Sequence, residues 1–202
     1  MVKEKSTNEL IKELLEKRDH ESKNQIEKFI NPDYSDLKNP FDFENMEAIV
    51  NKIISARENN EKIFIYGDYD VDGISGTAFL TKFFNEIGIS ADCYIPSRKE
   101  TDYGVSKKSI DYFHKRHGKL VITVDTGYNT IEDVRYAKSL GIEVIVTDHH
   151  KTVKEKFDDE ILYLNPKLSK SYKFQYLSGA GVAFKLAQGV CMKLDLDMEI
   201  IY

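Results

Sequence analysis

The sequence predicts an α/β fold, a doubly wound and mostly parallel five-stranded sheet with helices on both faces, preceded by a short helical extension. Apolar runs of strand length alternate with segments of helical period from about residue 42 onward. Runs such as KIFIY and LVITV are apolar throughout, as expected for strands covered on both faces. The helical connections are long enough to cross over between parallel strands.

Five segments are predicted as strands: KIFIYG, SADCYI, KLVITVDTG, EVIVTDHH and EILYLN. Helical segments lie between them, and the last helix, within SGAGVAFKLAQGVCMKL, is expected to begin at Ser178 because serine favours the N-cap. Residues 42–202 are therefore predicted to form one domain.

The first 41 residues are predicted to form a separate helical extension. Leu10, Leu14 and Leu15 are spaced for one helical stripe, and the segment NPDYSDLKNP then interrupts the pattern. The extension is therefore assigned to residues 1–41.

Composition excludes several classes of protein. The 202 residues are 41% hydrophobic and 31% charged, which favours a packed globular domain over a disordered chain. A net charge of −5 argues against a generally basic surface for nucleic acid. No apolar run approaches the roughly 18 residues of a membrane span, and the charged N-terminus is unlike a signal peptide, so a cytoplasmic protein with no membrane partner is expected. Cys93 and Cys191 form no metal-binding pair, and Cys93 is expected in the core.

Acidic residues and histidines follow three of the predicted strands. They are Asp68, Asp70 and Asp72 in GDYDVDG, Asp125 in VDTG, and Asp148, His149 and His150 in TDHH. In an open α/β sheet the ligand crevice lies outside the carboxyl ends of the strands. Three carboxylates within five residues repel one another, and a bound cation removes that cost. The pattern therefore favours a metal site over a solvated turn.

The ligand types favour Mn²⁺, Mg²⁺ or another octahedral divalent ion over a structural zinc site. An EF-hand is disfavoured because Phe79 stands where its bidentate glutamate belongs. An aspartyl phosphatase remains compatible with the first motif but gives the paired histidines no role. Carboxylates from three strand ends instead suit a two-metal site, with the ions roughly 3.5–4 Å apart and Asp125 bridging them. A site of this kind hydrolyses phosphoesters.

The motifs GDYDVDG, VDTG, DHH and SGAGVAFKL occur in an order that resembles the DHH phosphoesterase superfamily. Their exact residues resemble its RecJ branch, which consists of single-strand-specific 5′→3′ DNA exonucleases. The resemblance extends from about residue 42 to residue 194. It implies two divalent ions, Mn²⁺ or Mg²⁺, and metal ligands at Asp68, Asp70, Asp72, Asp125 and His149. It further implies that His150 contacts the scissile phosphate, and Asp125 and Asp148 complete the expected catalytic group.

Two further stretches match the same family. Arg98, Tyr103 and Gly104 in IPSRKETDYGVS resemble its Arg…GYG segment, where a guanidinium could hold a substrate phosphate; an ordinary surface loop is the alternative. Gly179 and Gly181, which follow Ser178, permit close approach of backbone to phosphate or of helix to strand. The candidate substrate-binding residues in these two stretches are Arg98, Tyr103, Gly104, Ser178, Gly179 and Gly181.

The resemblance implies single-stranded DNA as the substrate and replication or repair proteins as partners, and it leaves the oligomeric state open. It also implies that the chain is the N-terminal catalytic part of a longer protein. This part alone is expected to be weakly active or inactive. One alternative is a DHH-family phosphodiesterase for short oligonucleotides, cyclic dinucleotides or other small phosphoesters, although Tyr66 stands where those branches tend to carry histidine. The other is a non-catalytic DHH scaffold, although such scaffolds commonly lose the metal acids and histidines retained here.

Overall fold

The structure is a computed structural model that describes residues 6–18, 22–97, 104–127, 131–151 and 161–201. The chain divides into two compact units, Met1–Lys38 and Asn39–Tyr202. The first unit contains helices α1 (Thr7–Glu16) and α2 (Lys23–Ile30) and a short 3₁₀ helix at Tyr34–Asp36. Both α-helices begin with a capping box, in which a serine side chain accepts a backbone N–H.

The second unit is a five-stranded sheet in which every neighbouring pair is parallel. The strands are β1 (Lys62–Gly67), β2 (Ala91–Tyr94), β3 (Gly118–Val124), β4 (Glu143–Thr147) and β5 (Leu162–Leu164), in the order β2-β1-β3-β4-β5. The helices are α3 (Met46–Glu58), α4 (Val71–Glu86), α5 (Lys107–Lys115), α6 (Ile131–Ser139) and α7 (Gly179–Leu194), with 3₁₀ turns at Pro40–Asp42 and Met198–Ile201. The predicted fold class is confirmed.

Side chains of each central strand alternate between two hydrophobic clusters. In β1, Ile63 and Ile65 pack with α3, α4 and α7, whereas Phe64 and Tyr66 pack with α5 and α6. Both faces of the sheet are therefore covered by helices, which explains why the strands are apolar throughout. No helix in the described ranges has the length and apolar character needed to cross a lipid bilayer.

The edge strand β2 differs from the central strands. Cys93 lies in β2 and is exposed, so the prediction that it belongs to the core is wrong. The physical reason is its position, because an edge strand has a neighbour on one side only and β2 buries only its first residue, Ala91.

Candidate metal centre

The sheet order brings the ends of four neighbouring strands together. Just beyond these ends, backbone hydrogen bonds still connect each chain segment to the adjacent strand. The N–H of Asp68 donates to Val124, that of Asp125 to Thr147 and that of Asp148 to Leu164, at 3.2, 3.1 and 3.0 Å. Each acceptor is the last residue of the adjacent strand. The three acidic motifs therefore lie side by side at one edge of the sheet, as the topology requires.

Asp125 is the most deeply buried acidic residue of this edge, with a relative exposure of 0%. Its backbone has the left-handed φ of 60°, which turns the chain sharply at the end of β3. Neither carboxylate oxygen has a hydrogen-bond partner among the described residues. Burial, reinforced by the neighbouring carboxylates of Asp72 and Asp70, raises the pKa of Asp125 to about 7. Nε2 of His149 lies 3.1 Å from Oδ1 of Asp125. A cation held between these groups would offset the cost of burying the carboxylate.

Two groups of potential ligands share Asp125. Asp125, His149 and His150 form one group, and Asp68, Asp70 and Asp125 form the other. Within each group, one candidate ligand atom per residue lies within 4.8 Å of the others. The arrangement can hold two cations that share the Asp125 carboxylate, and the chemistry of its oxygen and imidazole donors fits Mn²⁺ or Mg²⁺.

Asp72 lies beside these groups but has other partners in this structure. Its oxygens accept the backbone N–H groups of Gly179 and Ala180 at 2.6 and 2.7 Å, at the start of α7. Burial opposes ionisation, but the N–H donors of Ala180 and Gly179 outweigh it and lower the pKa of Asp72. Asp72 therefore joins α4 to the N-terminus of α7, 3.7 Å from Nε2 of His149. Its assignment as a metal ligand stays a prediction.

Asp148 orients the two histidines that follow it. Its Oδ1 accepts the backbone N–H groups of His149 and His150, at 2.7 and 3.2 Å, and lies 2.7 Å from Nδ1 of His150. Burial opposes the charged form of His150, but the Asp148 carboxylate outweighs it, so the pKa of His150 is raised. Asp148, predicted as catalytic, therefore has the contacts of a positioning residue.

The start of α7 packs against the site. Ser178 is the N-cap, as predicted, and its side chain accepts the Gly181 N–H at 3.1 Å. A Cβ on Gly179 would lie 2.4 Å from Oδ1 of Asp125, so only glycine allows this approach. The N–H groups of Gly179 and Gly181 already have acceptors in Asp72 and Ser178. These contacts favour a packing role, and contact with a substrate phosphate stays a prediction.

Of the candidate loop after β2, Arg98 and Tyr103 lie outside the described residues, and Gly104 lies within them. The Gly104 carbonyl accepts the Tyr66 hydroxyl at 2.8 Å, and the N–H of Val105 donates to Gly127. Gly104 is thereby held beside the ends of β1 and β3, on the edge of the sheet that carries the acids.

Asn165 is a site residue that the sequence-based reasoning missed. It is buried directly after β5, where its Nδ2 donates to the His150 carbonyl at 3.0 Å and its Oδ1 accepts the Lys167 N–H. The sequence signal was its position, because Asn165 comes directly after an apolar strand, as Asp68, Asp125 and Asp148 do. An asparagine before proline is also typical of an ordinary turn, which conceals that signal.

Comparison with known proteins shows a family whose sequence model matches this chain. The model of the DHH family, N-terminal domain, matches residues 62–201. The RecJ single-stranded-DNA-specific exonuclease of Bacillus subtilis is 34% identical over 195 residues, and that of Escherichia coli is 36% identical over 143. These alignments cover 95% and 70% of this chain, which spans only 25% of the length of either curated relative.

A solved structure agrees with these relatives. A crystal structure of exonuclease RecJ bound to manganese superimposes with a TM-score of 0.68 at 32% identity, covering 77% of this chain and 39% of that one. The segment matched by the family model begins at β1 and contains all three acidic motifs and the start of α7. The chain therefore belongs to the DHH family and carries its N-terminal domain.

Proposed function

We propose that this chain is the catalytic domain of a metal-dependent phosphodiesterase that removes nucleotides from the 5′ end of single-stranded DNA. The observation that carries the proposal is the Asp125 carboxylate, which is buried, accepts no hydrogen bond from the described residues and belongs to both ligand groups. The similarity to RecJ exonucleases supports DNA as the substrate, and the manganese in one of their structures supports Mn²⁺ as a cofactor.

Asp68 and Asp70 would hold one divalent cation with Asp125, and His149 would hold the second with the same carboxylate. When bound, two such cations lower the pKa of water towards neutrality and offset negative charge on the phosphate. The protein supplies a fixed geometry for this chemistry. The hydrogen bonds that join Asp68 and Asp125 to the neighbouring strands hold these ligands in place before substrate arrives.

His150 is suited to contact the scissile phosphate. The contact between Asp148 and Nδ1 of His150 fixes the ring and favours its charged form. A charged imidazolium donates a hydrogen bond to a phosphate oxygen and stabilises the charge that develops there in the transition state. Asp148 acts through His150 in this scheme and does not itself contact the phosphate.

The test is a turnover panel on the full-length gene product that contains this chain. We expect Mn²⁺-dependent release of mononucleotides from a 5′-phosphorylated single strand, with the matching duplex left intact. His150→Ala is expected to slow hydrolysis by about 10²-fold or more. Hydrolysis that persists in EDTA, or an unimpaired His150→Ala variant, would contradict the proposal. Faster turnover of dinucleotides than of long strands would favour the small-phosphoester alternative instead.

A further inference from the structure

The segment that connects β5 to α7 borders the metal centre at both of its ends. This β5–α7 segment, residues 165–177, begins at Asn165, which donates to the carbonyl of His150. It ends beside Ser178, the N-cap of α7, and the next residue, Gly179, packs against Asp125. Both ends of the segment therefore lie next to residues of the metal centre.

The charge of the β5–α7 segment is opposite to that of the whole chain. Its sequence, NPKLSKSYKFQYL, contains Lys167, Lys170 and Lys173 and no acidic residue, whereas the chain has a net charge of −5. The N–H of Lys167 donates to Oδ1 of Asn165, the residue that contacts His150, so this lysine lies beside the site. A local run of lysines beside a site that handles phosphates suits the backbone of a nucleic acid.

Two aromatic side chains of the same segment face solvent. Phe174 is 45% exposed and Tyr176 is 87% exposed, and their ring centroids lie 5.9 Å apart at an interplanar angle of 71°. Tyr176 precedes Gly179 by three positions, a span of at most about 11 Å of extended chain. Exposed rings interleaved with lysines are typical of proteins that bind single strands, because every unpaired base offers a face for stacking.

The segment that carries these rings is anchored to the domain. Tyr172 is buried, and its ring stacks on Phe43 with centroids 3.9 Å apart and an interplanar angle of 13°. Glu44 accepts hydrogen bonds from Ser169, Lys170 and Ser171. The segment is therefore held against the domain at residues 169–172, directly before the two exposed rings.

We propose that the β5–α7 segment forms part of the track for the single-stranded DNA substrate, with Phe174 and Tyr176 stacking on bases and the lysines contacting phosphates. The proposal rests on the proposed function for the identity of the polymer and adds residues that select single strands. In a duplex the base faces are already stacked, so these two rings have no partner there.

The test measures binding without hydrolysis. A fluorescein-labelled oligothymidylate is titrated with the full chain in EDTA and followed by fluorescence anisotropy. Tyr176→Ala is expected to weaken binding about fivefold or more, because stacking on one base carries at least that factor. Tyr176→Trp should restore binding. The matched control is Tyr34→Ala, which removes a 62% exposed tyrosine from the first unit and should leave the affinity unchanged.

Two further binding measurements distinguish stacking on bases from contact with phosphates. On a strand of the same length with abasic sites, Tyr176→Ala should bind as well as the parent, because no base is there to stack. Lys170→Gln should reduce the slope of log affinity against log salt by about 0.7, as expected for one phosphate contact on a single strand. Thermal melting checks that each variant folds, and the exposure of Tyr176 makes its loss nearly neutral for stability.

Parent-like affinity of Tyr176→Ala for the oligothymidylate would overturn the inference, and so would an equal loss on the abasic strand. Neither result bears on the proposed function, which depends on Mn²⁺-dependent hydrolysis and on His150. Conversely, loss of the stacking contact can be measured here even if the turnover panel fails.

Discussion

At the scale of single residues, Asp125 is unusual because it is buried and its carboxylate accepts no hydrogen bond from the described residues, although Nε2 of His149 lies 3.1 Å from Oδ1. Most buried carboxylates are paired or hydrogen-bonded, since an isolated buried charge is costly. Asp72 shows the contrast, because two backbone N–H groups satisfy it and lower its pKa. The two neighbouring acids therefore have different environments, one suited to a cation and one that fixes a helix.

Glu44 gives a pH-dependent prediction at this scale. Burial opposes its ionisation, but hydrogen bonds from Ser169 and from the N–H groups of Lys170 and Ser171 outweigh burial and lower its pKa to about 2. Because its pKa is lower in the folded state, the carboxylate stabilises the fold fully above its usual pKa. That contribution decreases as the pH falls towards 2.

We expect Glu44→Gln to lower the free energy of unfolding at pH 7 by about 1 kcal/mol, since solvent weakens the lost interactions. The difference from the parent should shrink between pH 5 and pH 3. Urea unfolding of both proteins at three pH values measures it. A difference of the same size at every pH would show that the charge of Glu44 does not act in this way.

At the scale of elements, the site depends on the contact between α7 and the end of β3. Gly179 begins α7 and touches Asp125, while the preceding Ser178 caps the helix. A side chain at this position would force α7 away from the strand and would disturb the carboxylate on which the site is centred.

Gly179→Ala is expected to lower the free energy of unfolding by roughly 1–3 kcal/mol, because its Cβ would lie 2.4 Å from the Asp125 carboxylate. The matched control is Gly181→Ala, two residues along the same helix, where the nearest atom is the flexible Cδ2 of Leu177 at 3.3 Å. The control should change stability by no more than about 0.5 kcal/mol. Equal effects of the two substitutions in urea unfolding would contradict the packing role of Gly179.

The α7 contact also shows what the sequence cannot predict. Ser178 follows the local preference of N-caps, and the structure confirms it as the N-cap. The bond between Asp72 and Gly179 joins residues 107 positions apart, and it depends on how α4 and α7 pack on the same face of the sheet. No local pattern carries that information.

At the scale of the whole molecule, periodicity predicted the five strands because central parallel strands are apolar on both faces. The same reasoning failed for Cys93, since the position of a strand in the sheet is a tertiary property. Net charge concealed the basic β5–α7 segment, because a sum over the chain does not show where its lysines gather. The convergence of Asp125 and His149 was predictable, since the ends of parallel strands share one edge.

The proposed metal centre lies at the carboxyl edge of the sheet, and the β5–α7 segment, the proposed track for a single strand, borders it. Both depend on the strand order, which sets Asp68, Asp125, Asp148 and Asn165 after four adjacent strands.

Titration of the metal-free chain with Mn²⁺ by calorimetry tests the metal centre most directly. The parent is expected to bind Mn²⁺, Asp125→Asn should bind it at least about tenfold more weakly, and the variant should melt no lower than the parent in EDTA because a buried charge is removed. Glu86→Gln, at the opposite end of α4 from Asp70, is the control and should bind as the parent does. Parent-like Mn²⁺ affinity in Asp125→Asn would contradict a metal centre built on that carboxylate.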